Sequence, residues 1–160
     1  STTSGLLTEE GLDSYGINAA YTGDNYGVSV TFGSTETDEA GTTETDTFTA
    51  LNAYYAPEGF PSISAGYEWG TDGSAAATAD ESTSYFVGIQ FDEVGPGSAG
   101  IAMGTKTPTV EETEDLLMYE AYYSYPVNDG MTITPLVYVK ENSSGTDDQT
   151  GIMVKTSFKF

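Results

Sequence analysis

The stretch Ser84-Tyr-Phe-Val-Gly-Ile-Gln-Phe-Asp-Glu93 decides how this chain reads. Tyr85, Val87, Ile89 and Phe91 fall at alternate positions, with Ser84, Gly88 and Gln90 at positions of the opposite parity. Successive Cβ atoms of a strand point to opposite sides, so a period of two sorts these residues into an apolar face and a more polar one. The composition agrees, since aromatic and β-branched side chains fit a pleated surface better than a helix.

The same period recurs on both sides of this segment. Upstream it is carried by Tyr15, Ile17, Ala19 and Tyr21, then, past the turn Gly23-Asp24-Asn25, by Tyr26, Val28, Val30 and Phe32. A strand at about 47–56 leaves its face open, because Phe48/Ala50/Tyr54 and Leu51/Ala53/Tyr55 are both apolar. Ile63, Ala65, Tyr67 and Trp69 mark the next. Downstream come Ile101 and Met103; Leu117, Tyr119, Ala121, Tyr123 and Tyr125; Ile133, Val137 and Val139; and Ile152, Val154, Phe158 and Phe160. The expectation is one all-β region over 1–160, with nine antiparallel strands from 13 onward and an irregular lead-in at 1–12.

The connections alternate short and long. Those at 23–25, 57–61, 92–98 and 126–130 are rich in Gly, Pro, Asn and Asp, as tight turns require. Those at about 34–46, 70–83, 106–115 and 141–149 are longer and acidic. Aromatic residues sort by height too. Tyr21, Tyr26, Tyr55, Phe91, Tyr123, Tyr125 and Phe160 lie toward the short turns, and Tyr15, Phe32, Trp69 and Tyr85 toward the long loops. Asymmetric loops and two aromatic belts are properties of transmembrane β-barrels. Nine strands cannot close antiparallel on themselves, so the chain is expected to be a segment of a larger barrel.

Composition removes several function classes. With no His and no Cys, a Ser-His-Asp triad, a His-ligated zinc, a thiolate metal site and a disulfide framework are excluded. The net charge of −21 opposes nucleic-acid binding, which depends on cationic side chains. Charge this high can also signal disorder, but 38% hydrophobic and 12% aromatic residues argue for a folded chain. No apolar run reaches the ~20 residues of a membrane-spanning helix. The missing initial Met and leader read as a mature or excised segment.

Four segments carry a resemblance: Ser84–Glu93, Gly100-Ile-Ala-Met-Gly104, Met131-Thr-Ile-Thr-Pro135 and the closing Gly151-Ile-Met-Val-Lys-Thr-Ser-Phe-Lys-Phe160. Together they resemble the C-terminal part of cyanobacterial outer-membrane porins related to the carbohydrate-selective porins. The resemblance implies a passive diffusion channel for small hydrophilic solutes or ions, located in the outer membrane and without catalytic residues or cofactors. Implied partners are the lipid bilayer, the barrel-assembly machinery and either identical subunits (a trimer) or missing upstream strands. Ile152, Val154, Phe158 and Phe160 would be the assembly signal. The resemblance includes Thr134-Pro135 and so implies a β-bulge at Pro135.

On this reading the face opposite the apolar one lines a pore. Its candidates are Glu68, Gln90, Glu120, Tyr138, Lys140, Lys155 and Lys159. The plain alternative is that Glu120 and Lys155 pair with cross-strand neighbours. Acidic pairs such as Glu111-Glu112 with Glu114-Asp115, or Asp147-Asp148, lack the spaced ligand pattern of a calcium loop. A carboxylate pair of the glycosidase kind is expected by chance among 25 acids. The competing function is an acidic secreted or surface β-protein with a filament or adhesive role, acting through open strand edges.

Overall fold

The computed structural model of the chain describes residues 12–39, 42–73, 81–106, 109–110, 114–143 and 145–160. Ten strands are found there and no helix: β1 (Ser14–Thr22), β2 (Tyr26–Glu39), β3 (Thr42–Tyr55), β4 (Ser62–Thr71), β5 (Glu81–Val94), β6 (Gly97–Thr105), β7 (Thr109–Val110), β8 (Leu117–Asn128), β9 (Met131–Lys140) and β10 (Gln149–Phe158). They form one antiparallel meander in the order β1-β2-β3-β4-β5-β6-β8-β9-β10, with the two-residue β7 pairing with β5 beyond the end of β6. Nine strands on the main path match the nine expected.

The turns follow from their residues. Gly23 donates its N–H to the carbonyl of Tyr26 at 2.8 Å, closing the β1–β2 hairpin. Between β5 and β6 the strands run on to a two-residue Gly95-Pro96 turn, with Val94 opposite Gly97. Gly95 has φ = 63°, the left-handed conformation that a glycine-first hairpin turn needs and side chains resist. Asp129-Gly130 joins β8 to β9, and the Asn128 Oδ1 accepts from Gly130 N at 2.9 Å.

Pro135 departs from expectation. The register on either side of it is the same, Tyr122 opposite Leu136 and Tyr125 opposite Ile133; the irregularity lies between Pro126 and Asn128 instead. Glu141 N donates to Leu117 O at 2.8 Å, which sets odd-numbered β9 residues to bond toward β8. The N–H that Pro135 lacks therefore belongs to the β8 side, next to Tyr123. No extra residue is needed: the ladder skips a rung, and Thr134 Oγ1 donates to Ser124 Oγ at 3.2 Å across the gap.

The sheet is a single layer. Among the described residues no hydrophobic side chain is buried, and Ser34 is the one buried polar residue. The accessible surface is 11174 Å², against the about 7,700 Å² that a compact monomer of this mass presents.

That the chain does not close on itself is expected from its nine strands and is found; the expectation that it is a segment of a barrel is corrected here. β1 pairs with β2 alone and β10 with β9 alone, so the described sheet is open and encloses no lumen. A diffusion channel needs a wall that returns on itself. Two open edges also present main-chain groups that hydrocarbon cannot satisfy. The channel function, the bilayer and assembly-machinery partners, the trimeric channel and the outer-membrane location all rested on closure, and they fall with it. No helix among the described residues is long and apolar enough to cross a membrane, an observation that concerns helices alone.

Candidate functional site

Register turns the alternation into two defined faces. One row of directly opposed residues crosses all nine strands: Tyr21, Val28, Ala53, Ala65, Val87, Met103, Tyr119, Val139 and Thr150. The next row runs Tyr26, Tyr55, Ile63, Ile89, Ile101, Ala121, Val137 and Ile152. Opposed residues share a face, so these rows make one continuous apolar surface. It is open to solvent: Ile17 is 68% exposed, Ile101 53%, Ile152 77% and Trp69 42%. Where Ala121 sits between Ile101 and Val137 the surface dips into a hollow of about 500 Å³, also lined by Val87, Met103 and Tyr119.

The pairing of Val30 with Leu51 and of Val28 with Ala53 settles the third strand. Leu51, Ala53 and Tyr55 join the apolar face, while Phe48, Ala50 and Tyr54 turn to the other. There the rings have a specific use. Tyr54 lies over Gly27, Phe48 over Gly33, Phe86 over Gly66, Tyr122 over Gly100 and Tyr138 over Gly151, each ring directly across from its glycine. A methyl group at any of the five glycines would stand closer than 3.0 Å to the ring. All five pairs lie within the hairpins β2–β3, β4–β5, β6–β8 and β9–β10, the first of which pairs as far as Glu39 and Thr42, so that the long connection expected at 34–46 is mostly strand. At the β1–β2 turn a further ring, that of Tyr26, lies over Gly23, but on the apolar face.

The sequence candidates for the second face are placed as follows. Glu68, Gln90, Glu120, Tyr138, Lys140 and Lys155 all lie on it, by their pairings with Ser84, Gly100, Ala102, Gly151, Met118 and Thr134. Lys159 lies just past β10, its N–H donating to Gly130 O at 2.9 Å. With no lumen, these residues line an open surface and not a pore. Glu120 stands opposite Tyr138, and the Lys140 Nζ lies 5.0 Å from the Tyr138 ring centre, a cation–π contact. Tyr122 donates to Gln90 Oε1 at 2.8 Å, and Gln90 Nε2 donates to Asp92 Oδ1 at 2.6 Å. Burial first, then the charges of Glu120 and Asp92, push the Tyr122 hydroxyl above its ordinary pKa.

A second polar cluster pins two acidic connections together. Glu141 accepts from Leu117 N at 2.9 Å and from Tyr119 Oη at 3.2 Å. Lys106 Nζ reaches Glu141 O at 3.3 Å and Asn142 Oδ1 at 2.9 Å. Asn142 in turn donates to Asp147 O at 2.7 Å and Asp148 Oδ1 at 3.3 Å. The Asp147-Asp148 pair is thus tied into its own loop. Glu111 and Glu112 lie outside the described residues. No group of three or more metal-ligating side chains occurs among the described residues.

Ile152, Val154 and Phe158 occupy the apolar face of the edge strand β10, and Phe158 stacks on Phe160 with ring centres 6.4 Å apart. What the sequence reading missed is the set of glycine–ring pairs. A signal was present: Gly27 and Gly33 are six apart in one strand, and Phe48 and Tyr54 six apart in the next.

Three comparisons with known proteins return nothing: no family model, no curated protein and no solved structure matches the chain. The resemblance to cyanobacterial porins is therefore corrected together with the barrel. Its motifs are strand alternations and hairpins, which any antiparallel sheet of this composition carries.

Proposed function

We propose that this chain is a non-catalytic structural module that acts by association, its apolar face being covered by an apolar protein surface. The observation that carries the reading is the unbroken exposed apolar face in a chain with no buried hydrophobic residue among those described. Soluble monomers rarely expose contiguous apolar patches beyond a few hundred Å². At about 25 cal/mol per Å², the free energy released on covering such a face is the largest favourable term available to the molecule. The second face, with its glycine–ring pairs and spread charges, stiffens the sheet and stays wet. The long connections add negative charge at one end, which keeps the assembly soluble.

Trp69 tests this directly. It is the single Trp and lies on the apolar face beside Tyr67, ring centres 6.0 Å apart. On association its emission moves to the blue and its quenching by acrylamide falls, and dilution reverses both. Water-like emission at every concentration, in the presence and absence of candidate partners, refutes the reading.

A further inference from the structure

We infer that the open edge of β1 is a dimerisation edge, where β1 of a second copy pairs antiparallel across a two-fold axis through Asn18. The inference rests on the proposed role as an association module and names one of its partners.

Edge strands that must stay single carry charges, prolines or bulges. β1, Ser14-Tyr-Gly-Ile-Asn-Ala-Ala-Tyr-Thr22, has none of these: it is exposed along its whole length and pairs one-to-one with β2 throughout. The bonds from Gly23 N to Tyr26 O and from Glu36 N to Asp13 O, both 2.8 Å, bracket the strand and set its phase. Odd-numbered residues exchange hydrogen bonds with β2. Ser14, Gly16, Asn18, Ala20 and Thr22 therefore turn their N–H and C=O groups outward.

A two-fold axis normal to the sheet through Asn18 brings outward residues onto outward residues. It sets Ser14 opposite Thr22, Gly16 opposite Ala20 and Asn18 opposite its own copy. On the apolar face it sets Tyr15 opposite Tyr21 and Ile17 opposite Ala19. Every opposed pair matches in polarity, small residues meet small ones, and both apolar faces emerge on the same side. This is the self-complementarity that an isologous interface demands. β10 lacks it: a two-fold through Val154 would set Thr150 opposite Phe158 and Met153 opposite Lys155. The β1 match has one opposing element, since Asp13 of one copy falls beside Asp24 of the other at each end, and salt screens that repulsion.

The chain has no cysteine, so Asn18→Cys gives a single thiol. In a hydrogen-bonded antiparallel pair the two Cα atoms lie about 5.5 Å apart, within disulfide range. The full chain carrying Asn18→Cys should form a covalent dimer under mild oxidation, and Ser29→Cys, one strand inward on the same face, should not. The double variant Gly16→Lys/Ala20→Lys should fall to the monomer mass of 16.9 kDa. Mixing it with Gly16→Glu/Ala20→Glu should restore twice that mass, which also shows that both variants fold. If the native chain self-associates but Asn18→Cys does not cross-link, or the Lys pair leaves the mass doubled, the β1 edge is overturned while the association role stands. A native chain that stays at 16.9 kDa with Trp69 water-exposed at all concentrations overturns both.

Discussion

Replacing Gly33 by Ala should destabilise the sheet, and replacing Gly16 by Ala should stabilise it. The two glycines face each other across β1 and β2, on the same face and both in extended backbone with no positive φ. On backbone grounds alone each substitution should gain about 0.4–1 kcal/mol, because Ala has less freedom to lose on folding. At Gly16 the nearest atom to a new methyl is the Phe32 carbonyl oxygen at 3.6 Å, an ordinary contact, so that gain is kept. At Gly33 the methyl would collide with the Phe48 ring, which must swing away. If the ring loses cover over about a quarter of its ~200 Å², the loss at ~25 cal/mol per Å² is roughly 1.3 kcal/mol. The buried Gly33 backbone is opened to water as well. The net expectation is a loss of about 1 kcal/mol at Gly33 and a gain of about 0.5 kcal/mol at Gly16. Urea unfolding followed by Trp69 emission measures both, and the double variant Gly33→Ala/Phe48→Ala completes a cycle whose coupling should be about 1 kcal/mol. A Gly33→Ala midpoint raised as much as that of Gly16→Ala would refute the claim that the ring needs the glycine beneath it.

Ile101→Lys, at the centre of the apolar face, should weaken association roughly 10- to 100-fold, the loss of one buried aliphatic side chain, as read by sedimentation. Pro135→Val should return an N–H to the β8–β9 ladder and raise stability by about 1 kcal/mol, measured by the urea midpoint. The raised Tyr122 pKa means that the folded sheet favours the neutral hydroxyl. Its contribution is fully present below the ordinary value of 10.0 and is lost as pH rises through the higher folded value. Tyr122→Phe should remove that alkaline loss in unfolding curves. Raising ionic strength should strengthen self-association, since acidic groups outnumber cations 25 to 4, and sedimentation across a salt series reads it.

Which residues point to which side was legible from alternation alone. Tyr85, Val87, Ile89 and Phe91 share a face, and Ser84, Gly88 and Gln90 share the other, because the pleat enforces it. The third strand was illegible for a physical reason that the register supplies: Phe48 and Tyr54 are apolar on the wetter face because they cover Gly33 and Gly27. That β1 and β10 would not pair was legible, because nine alternating strands bring them together parallel, and they do not pair. Whether the sheet belongs to a barrel was illegible, since a local period states how a side chain points and carries no information on the curvature of the whole sheet. The proline was misjudged because the cost of its missing N–H depends on which neighbour would have received it, and that is a property of register. The polar candidates Glu68 through Lys155 were correctly assigned to one face, whereas their joint role depended on a curvature that their spacing does not encode.

Because the described strands pack almost wholly on their neighbours in the sheet, the described sheet behaves as a line of coupled units and not as a body with a centre. Fraying should begin at β1 and β10 and travel inward, so amide exchange should slow strand by strand toward β5. A break in the middle would leave two half-sheets, each still folded on its own hairpins. Folding should be quick for an all-β chain, since the meander joins each strand to the next and asks for no distant loop closure. Association would then do what a core does elsewhere, coupling hairpins at opposite ends that otherwise never sense one another.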